Sequence, residues 1–392
     1  MQSKLDLSFG RHEITQEDID AVVDVLRSKF LTQGPTIESF ESKLASTCGA
    51  KYAVAVANGT AALHLAYIAA GACPDTEVMT SPITFAATSN AAYYVGAAPV
   101  FVDIDPRTFN MDLNRLEEAL RKSRAKKKMI VPVHFAGVAC ELDEIEVLAE
   151  KYDALVVEDA SHALGASYKN KSIGGTHDRH MATFSFHPVK HITCAEGGAV
   201  VTNDEGYYKK LKLLRTHGIS KHDFEYPQEN LGSWYQEMQL LGFNYRLSEI
   251  NAALGLSQLK RVEKNVRRRS EIAALYQDIF AEKTDDIILP LLEHANCKSS
   301  WLLYVIQIEY EKIGLTRAEY MKRLSAQGIH TQVHQIPVYR HPYYRRQMGD
   351  LSAHYPNAEN YYRRALSIPM YSALTDDDVR SVVEICSNAL KN

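Results

Sequence analysis

The chain has 392 residues, is 46% hydrophobic and 23% charged, and carries a formal net charge of −4 with a pI near 6.4. That is ordinary globular composition in a chain long enough for more than one core, and its charge gives no electrostatic reason to expect a nucleic-acid partner or a membrane surface. No run approaches the ~20 apolar residues of a membrane span, and residues 1–11 lack the basic and apolar regions of a secretory leader, so a cytoplasmic protein acting on small molecules is expected.

Between residues 51 and 203 short apolar runs alternate with helix-like segments, the pattern of an α/β sheet with crossover connections. The runs at 53–57, 77–80, 99–102, 129–134, 154–158, 182–186 and 199–202 read as strands. Several are nearly continuous in Val, Ile and Ala, as in a largely parallel sheet buried on both faces. Helices are expected at 60–71, 86–95, 112–120 and 142–152, with Asp112 or Asn114 as a cap, and again at 206–216. Residues 220–241 lose periodicity and read as a long loop, whereas 248–280 reads as one long helix or a kinked pair carrying the basic run 260–269. A strand near 304–308, a helix near 317–327, a strand near 331–334 and a final helix over 376–390 make a smaller α/β domain. The six cysteines (Cys48, Cys73, Cys140, Cys194, Cys297 and Cys386) contain no CxxC pair and read as free thiols.

The chemistry centres on Phe184-Ser185-Phe186-His187-Pro188-Val189-Lys190, which ends a strand ahead of the Glu196-Gly197-Gly198 turn. Lysine is rarely buried without a partner, and a desolvated amine loses its proton more readily, which is the state that adds to a carbonyl. From this stretch alone, a solvated turn lysine reads the same. Glu158-Asp159-Ala160-Ser161-His162 ends another strand, at the sheet edge where α/β proteins bind ligands, and Glu158 is expected to point to the opposite side from Asp159. Asp159 reads either as a carboxylate for a ring nitrogen or as a turn residue, and His162 either as a ring contact or as a core histidine.

Asn58-Gly59-Thr60-Ala61-Ala62-Leu63 passes from strand to helix, where backbone N–H groups receive phosphate, although Thr is also a common helix cap with no ligand. Ser185 is a second phosphate contact or a solvated strand serine, and Phe85 a stacking surface or a core ring. Cradle, aromatic, acid and lysine come in the order that suits pyridoxal phosphate, whose ring nitrogen needs a carboxylate to stay protonated and act as an electron sink. His187, His191 and Cys194 have a loose metal-like spacing, but Pro188 breaks any helix that would align them, and no metal site is expected.

That order resembles the fold-type I pyridoxal-phosphate enzymes, the aspartate aminotransferase-like transferase fold. The motifs as written resemble the DegT/DnrJ/EryC1/StrS family of nucleotide-sugar aminotransferases. The resemblance rests on Leu31-Thr32-Gln33-Gly34-Pro35, on the cradle, acid and lysine stretches above, and on Gly242-Phe243-Asn244-Tyr245-Arg246-Leu247. The stretches Leu214-Arg215-Thr216-His217-Gly218 and Ala253-Leu254-Gly255-Leu256-Ser257-Gln258 are similar, more narrowly, to the branch serving pseudaminic acid synthesis.

The resemblance implies a large cofactor domain with an N-terminal arm over 1–245 and a small C-terminal domain over 246–392. It implies transfer of an amino group from L-glutamate to C4 of a 4-keto-6-deoxy sugar on a nucleotide such as UDP. Lys190 would then carry the cofactor as a Schiff base and shuttle the proton, and Asp159 would pair with the ring nitrogen. His162 would approach the ring, Phe85 would stack on it, and Thr60, Ala61 and Ser185 would hold the phosphate. A homodimer is implied, with Asn244 reaching the site of the partner subunit and Arg246 its neighbourhood, although 244–246 equally reads as a polar helix start. Thr32 and His334 would lie on the substrate side. A dehydratase branch has histidine in place of the cofactor lysine; with Lys190 present, amino transfer is expected. Another keto-sugar, another position of amination, or a catalytically silent cofactor-bound regulator are the other readings.

Overall fold

The computed structural model describes residues 5–222, 224, 232–292 and 295–391. Two helices, α1 (Gln16–Arg27) and α2 (Pro35–Cys48), precede the first strand of the main sheet. Then follow β1 (Tyr52–Val56), α3 (Gly59–Ala69), β2 (Thr76–Thr80), α4 (Ala87–Tyr94), β3 (Ala98–Phe101), α5 (Leu113–Lys122), β4 (Lys127–Val131) and α6 (Leu142–Tyr152). The large unit continues with β5 (Ala154–Asp159), β6 (Met181–Ser185), β7 (Gly198–Thr202) and α7 (Glu205–Arg215).

These seven strands form one sheet in the order β1-β7-β6-β5-β4-β2-β3. All neighbours are parallel except β7, which runs antiparallel to both β1 and β6. The continuous apolar runs have a direct cause in the pleat. Val54, Val56, Val157 and Val200 feed the core under α3, α4 and α7, while Ala53, Val156, Phe184 and Val201 feed the core under α2, α5 and α6. Both faces are therefore covered, as the sequence predicts. Asp112 is the cap of α5, its carboxylate accepting from the Asn114 and Arg115 N–H groups.

The segment expected to be one helix or a kinked pair is two helices, α8 (Glu249–Leu259) and α9 (Val262–Lys283). The break falls where the Arg261 guanidinium turns to bind buried Asp18 on α1. Leu247, Ala252, Leu259 and Val262 belong to the core of the large sheet, and the second core begins at Ile272 within α9. That second core is built on the antiparallel strands β8 (Ile287–Ile288), β9 (Tyr304–Ile308) and β10 (Ala365–Ile368), covered by α10 (Arg317–Ala326) and α11 (Asp376–Ala389).

The strand expected near 331–334 is a correction. The extended pair is Ile329–His330, hydrogen-bonded in parallel to Leu7–Ser8, and beyond it only Gln332 makes a single bridge to Ser367. Its partner is the N-terminal arm, more than 300 residues away in sequence, so local pattern could not set its register. Within the expected loop 220–241, Ser220 pairs with Glu237, while 223 and 225–231 lie outside the described residues. All six cysteines are free, and among the described residues no helix is long and apolar enough to cross a membrane.

Candidate active site

The carboxyl ends of β1, β2, β5 and β6 open onto one cavity of about 1080 Å³, closed on its other side by residues 332–336 and by Leu302 and Leu303. Thr60, Ala61, Phe85, Asp159, His162, Ser185, Lys190 and His334 all line it. Residues far apart in the chain meet because parallel strands deliver their carboxyl ends to one edge.

Asp159 is the last residue of β5 and is buried. Its Oδ2 accepts from Thr88 Oγ1 at 2.7 Å and its Oδ1 from the Ser161 N–H at 3.1 Å, so the carboxylate is held on both sides. Thr88 is itself fully buried on α4 and hydrogen-bonds Thr84 Oγ1 at 2.8 Å. Thr88 is absent from the sequence-derived site: a threonine inside a helix carries no local mark, and only packing of α4 against β5 reveals it. Glu158, the preceding residue, points to the opposite face, as the strand period requires.

Lys190 sits in the turn after β6, partly buried, with its N–H bonded to the His187 carbonyl. Burial brings its amine down to about 8, against the charge of Asp159, which favours the protonated form. His162 is buried, and burial together with the nearby Lys190 charge keeps its imidazole well below the ordinary range. Its Nδ1 accepts from the Ala136 N–H at 3.4 Å, which leaves the proton on Nε2. His334 is lowered to about 4, by burial and then by Lys190, and its Nδ1 meets Ser367 Oγ at 2.9 Å. Both histidines are therefore neutral groups of the cavity wall at ordinary pH. Phe85, 66% exposed although apolar, presents its ring to the cavity rather than to a core.

The start of α3 is an anion cradle. Asn58 caps it, its Oδ1 accepting from the Ala61 N–H at 2.8 Å. Among the described residues no hydrogen bond uses the Gly59 or Thr60 N–H, the Thr60 hydroxyl or the Ser185 hydroxyl. A Cβ on Gly59 would come within 2.9 Å of Ser185 Cβ, so only glycine lets Ser185 close on the helix end. Unpartnered donors at a helix N-terminus suit a phosphate. With an exposed ring, a held carboxylate and a lysine of lowered proton affinity in the same cavity, these residues fit pyridoxal phosphate. Ala61 differs from the others here, because its N–H is already engaged by Asn58.

Thr32, Asn244 and Arg246 do not line the cavity. They come together beside β1, where Thr32 bridges Ser248, Arg246 bridges Val56 and Asn244 bridges Thr216. Asn244 is exposed. At the cavity mouth His64, with Tyr94 and Tyr245 around it, is a feature that the sequence analysis did not single out.

Sheet, cavity and cradle together define a fold-type I pyridoxal-phosphate-dependent aminotransferase. The chain belongs to the DegT/DnrJ/EryC1/StrS aminotransferase family, whose model matches residues 12–387. It is 42% identical over 386 residues to the spore coat polysaccharide biosynthesis protein SpsC of Bacillus subtilis, covering 98% of this chain and 97% of that one. It is 38% identical over 385 residues to the UDP-4-amino-4,6-dideoxy-N-acetyl-beta-L-altrosamine transaminase of Campylobacter jejuni, covering 98% of each. Among solved structures, Helicobacter pylori PseC, an aminotransferase of pseudaminic acid biosynthesis, superimposes with a TM-score of 0.89 at 33% identity, covering 98% of this chain and 99% of that one. A protein of Streptococcus pneumoniae described as a sugar aminotransferase, solved in its PLP-form, gives 0.88 at 28% identity and 98% coverage of both.

Proposed function

We propose that the chain moves an amino group from L-glutamate to C4 of a nucleotide-linked 4-keto-6-deoxy sugar, of the UDP-linked N-acetyl-altrosamine type used for pseudaminic acid. The observation that carries the amino transfer is the convergence of Lys190, Asp159, Phe85 and the Gly59–Thr60 cradle on one cavity. The likeness to the Campylobacter transaminase and to PseC supports the sugar.

Bound pyridoxal phosphate supplies an electron sink that stabilises negative charge at the carbon losing its proton. The chain's residues do the rest. The Gly59 and Thr60 N–H groups, the Thr60 hydroxyl and Ser185 Oγ hold phosphate. Phe85 covers one ring face, and Asp159, braced by Thr88 and Ser161, keeps a proton on the ring nitrogen. Lys190 Nζ, neutral in part near pH 8, takes a proton from the α-carbon of the donor and returns one on the sugar side. His162 and His334 stay uncharged and add no competing cation. Homodimerisation, with Asn244 and Arg246 turned toward the other subunit, and a cytoplasmic location complete the proposal.

The higher identity to SpsC favours a second reading, the same chemistry on a different nucleotide keto-sugar. One experiment separates them: the protein, L-glutamate and a panel of nucleotide keto-sugars are incubated and the products weighed by mass spectrometry. Amination of the 4-keto-6-deoxy UDP sugar is expected; turnover confined to another sugar selects the second reading. Lys190→Ala should remove both turnover and the visible absorbance of the cofactor-loaded protein. A wild-type protein that takes up no cofactor would defeat both readings.

A further inference from the structure

On the far side of β5 from Asp159, Glu158 is buried between two histidines, with His134 Nε2 and His180 Nδ1 each 2.9 Å from one of its oxygens. The Cys140 N–H donates to His134 Nδ1 at 3.0 Å, so His134 carries its proton on Nε2 and donates to Glu158. His180 likewise donates its Nδ1–H to the carboxylate. Its remaining nitrogen, Nε2, faces Glu146 Oε2 on α6 at 2.7 Å. His177 lies against His180, with ring centroids 4.7 Å apart, and its Nε2 is 3.3 Å from Asp143 Oδ1. Glu146, His177 and His180 each offer a donor atom, all within 4.8 Å of one another.

We propose that Glu146, His177 and His180 form a binding site for a zinc-class divalent cation, on the opposite sheet face from the cofactor cavity. Two imidazoles and one carboxylate, with a fourth position left for water, are a donor set that zinc takes. The groups behind them support this more strongly than the cluster alone. A metal-binding histidine characteristically donates its other N–H to a carboxylate, which fixes the ring and makes the ligating nitrogen more basic. Glu158 does this for His180, and is itself fixed by His134.

Access and geometry agree. His177 and Glu146 are partly exposed, so an ion reaches the site from solvent, while His180 anchors its inner side. With both atoms about 2.1 Å from a tetrahedral ion, His180 Nε2 and the Glu146 oxygen stand about 3.4 Å apart, an opening of well under ~1 Å from their hydrogen-bonded 2.7 Å. Entry replaces the one proton shared between them, which passes to the buffer. That proton is a real competitor, since the flanking carboxylates outweigh burial and raise His180 to about 9. The bound ion would fasten α6 and the segment before β6 to the strand that ends in Asp159. This site is separate from His187, His191 and Cys194, whose spacing drew attention in the sequence.

The test is equilibrium dialysis of cofactor-loaded, chelator-stripped protein against zinc chloride alone, with the metal counted by atomic emission and the melting temperature followed alongside. The site predicts one zinc per chain and a higher melting temperature with zinc. His177→Ala and Glu146→Ala should each weaken binding by about tenfold or more while keeping the cofactor absorbance. Absence of saturable zinc in the wild type, or undiminished binding in either variant, overturns the proposal and leaves the cluster as a protonated histidine bridging two carboxylates.

Discussion

Thr88 has the most exposed consequence at the level of single residues. Its hydroxyl is one of two donors to Asp159, and a hydrogen bond to a charged group contributes about 1.5–3 kcal/mol. Thr88→Val should therefore slow the half-reaction with glutamate roughly ten- to a hundredfold. Thr88→Ser, which keeps the hydroxyl, should restore most of the rate, and the glutamate KM should change little. Stopped-flow absorbance of the cofactor reads this directly, and a Thr88→Val rate within twofold of wild type refutes the bracing role. Lys190 gives a pH dependence. Burial lowers it to about 8, so the neutral amine predominates above that pH and the ammonium below. Uptake of cofactor by stripped protein should accelerate as pH rises through about 8 and then level off; a rate flat across that range is the contrary result.

Among the elements that sequence reasoning left out are α1 and α2, and the structure shows what holds them. Glu249, buried at the start of α8, accepts from the Gly34, Thr36 and Ile37 N–H groups, so a carboxylate more than 200 residues downstream satisfies the start of α2. Asp18 fastens α1 in a similar way, through Arg261 at 2.8 Å and Gln258 at 2.8 Å. A local signal for α1 was present, since Thr15 and Asp18 form a capping box. For α2, Pro35 at the first turn was a start signal, but the capping group is tertiary.

Burial opposes the charge on Asp18, but the bonds from Arg261 and Thr15 outweigh it and hold the carboxyl near 2, below its ordinary 3.8. A carboxylate depressed in the folded state stabilises the protein above its unfolded value, and that contribution is lost as pH falls through the folded value. Roughly 2 kcal/mol should thus disappear between about pH 4 and pH 2. Asp18→Asn should lose a similar amount at pH 7 and show a shallower acid limb in urea titrations. An unchanged acid limb would count against the tether.

For the whole molecule, the proposed homodimer carries a test of its own. Asn244 is exposed beside β1 and outside its own cavity, which the proposed homodimer explains by placing it at the other subunit's site. Lys190→Ala and Asn244→Ala chains, each deficient alone, should regain activity when unfolded together and refolded, because a mixed dimer has one site with both residues intact. Sedimentation should report a dimer. If the mixture stays as inactive as its components, Asn244 acts within its own chain or not at all.

The sequence by itself determined the strands of the main sheet and that most of them run parallel; the antiparallel setting of β7 came only with the structure. Apolar runs long enough for strands but too continuous for a half-exposed sheet imply burial on both faces, and seven such runs with helices between them leave few other folds. It also marked Lys190, Asp159 and the Asn58-Gly59-Thr60 turn as candidates, because strand ends and helix starts are local features that fall on one edge of a parallel sheet, while each residue read alone equally well as a turn lysine, a turn acid or a plain helix cap. Tertiary structure alone decided the rest. Thr88 meets Asp159 across 71 residues, Glu249 meets α2 across more than 200, and Ile329–His330 pairs with the N-terminal arm. The Glu158 relay to His180 and Glu146 also depends on the register of β5 with β6 and on the seat of α6. Helix and strand periods record which face a residue takes; which distant residue it meets there is fixed only when the faces pack.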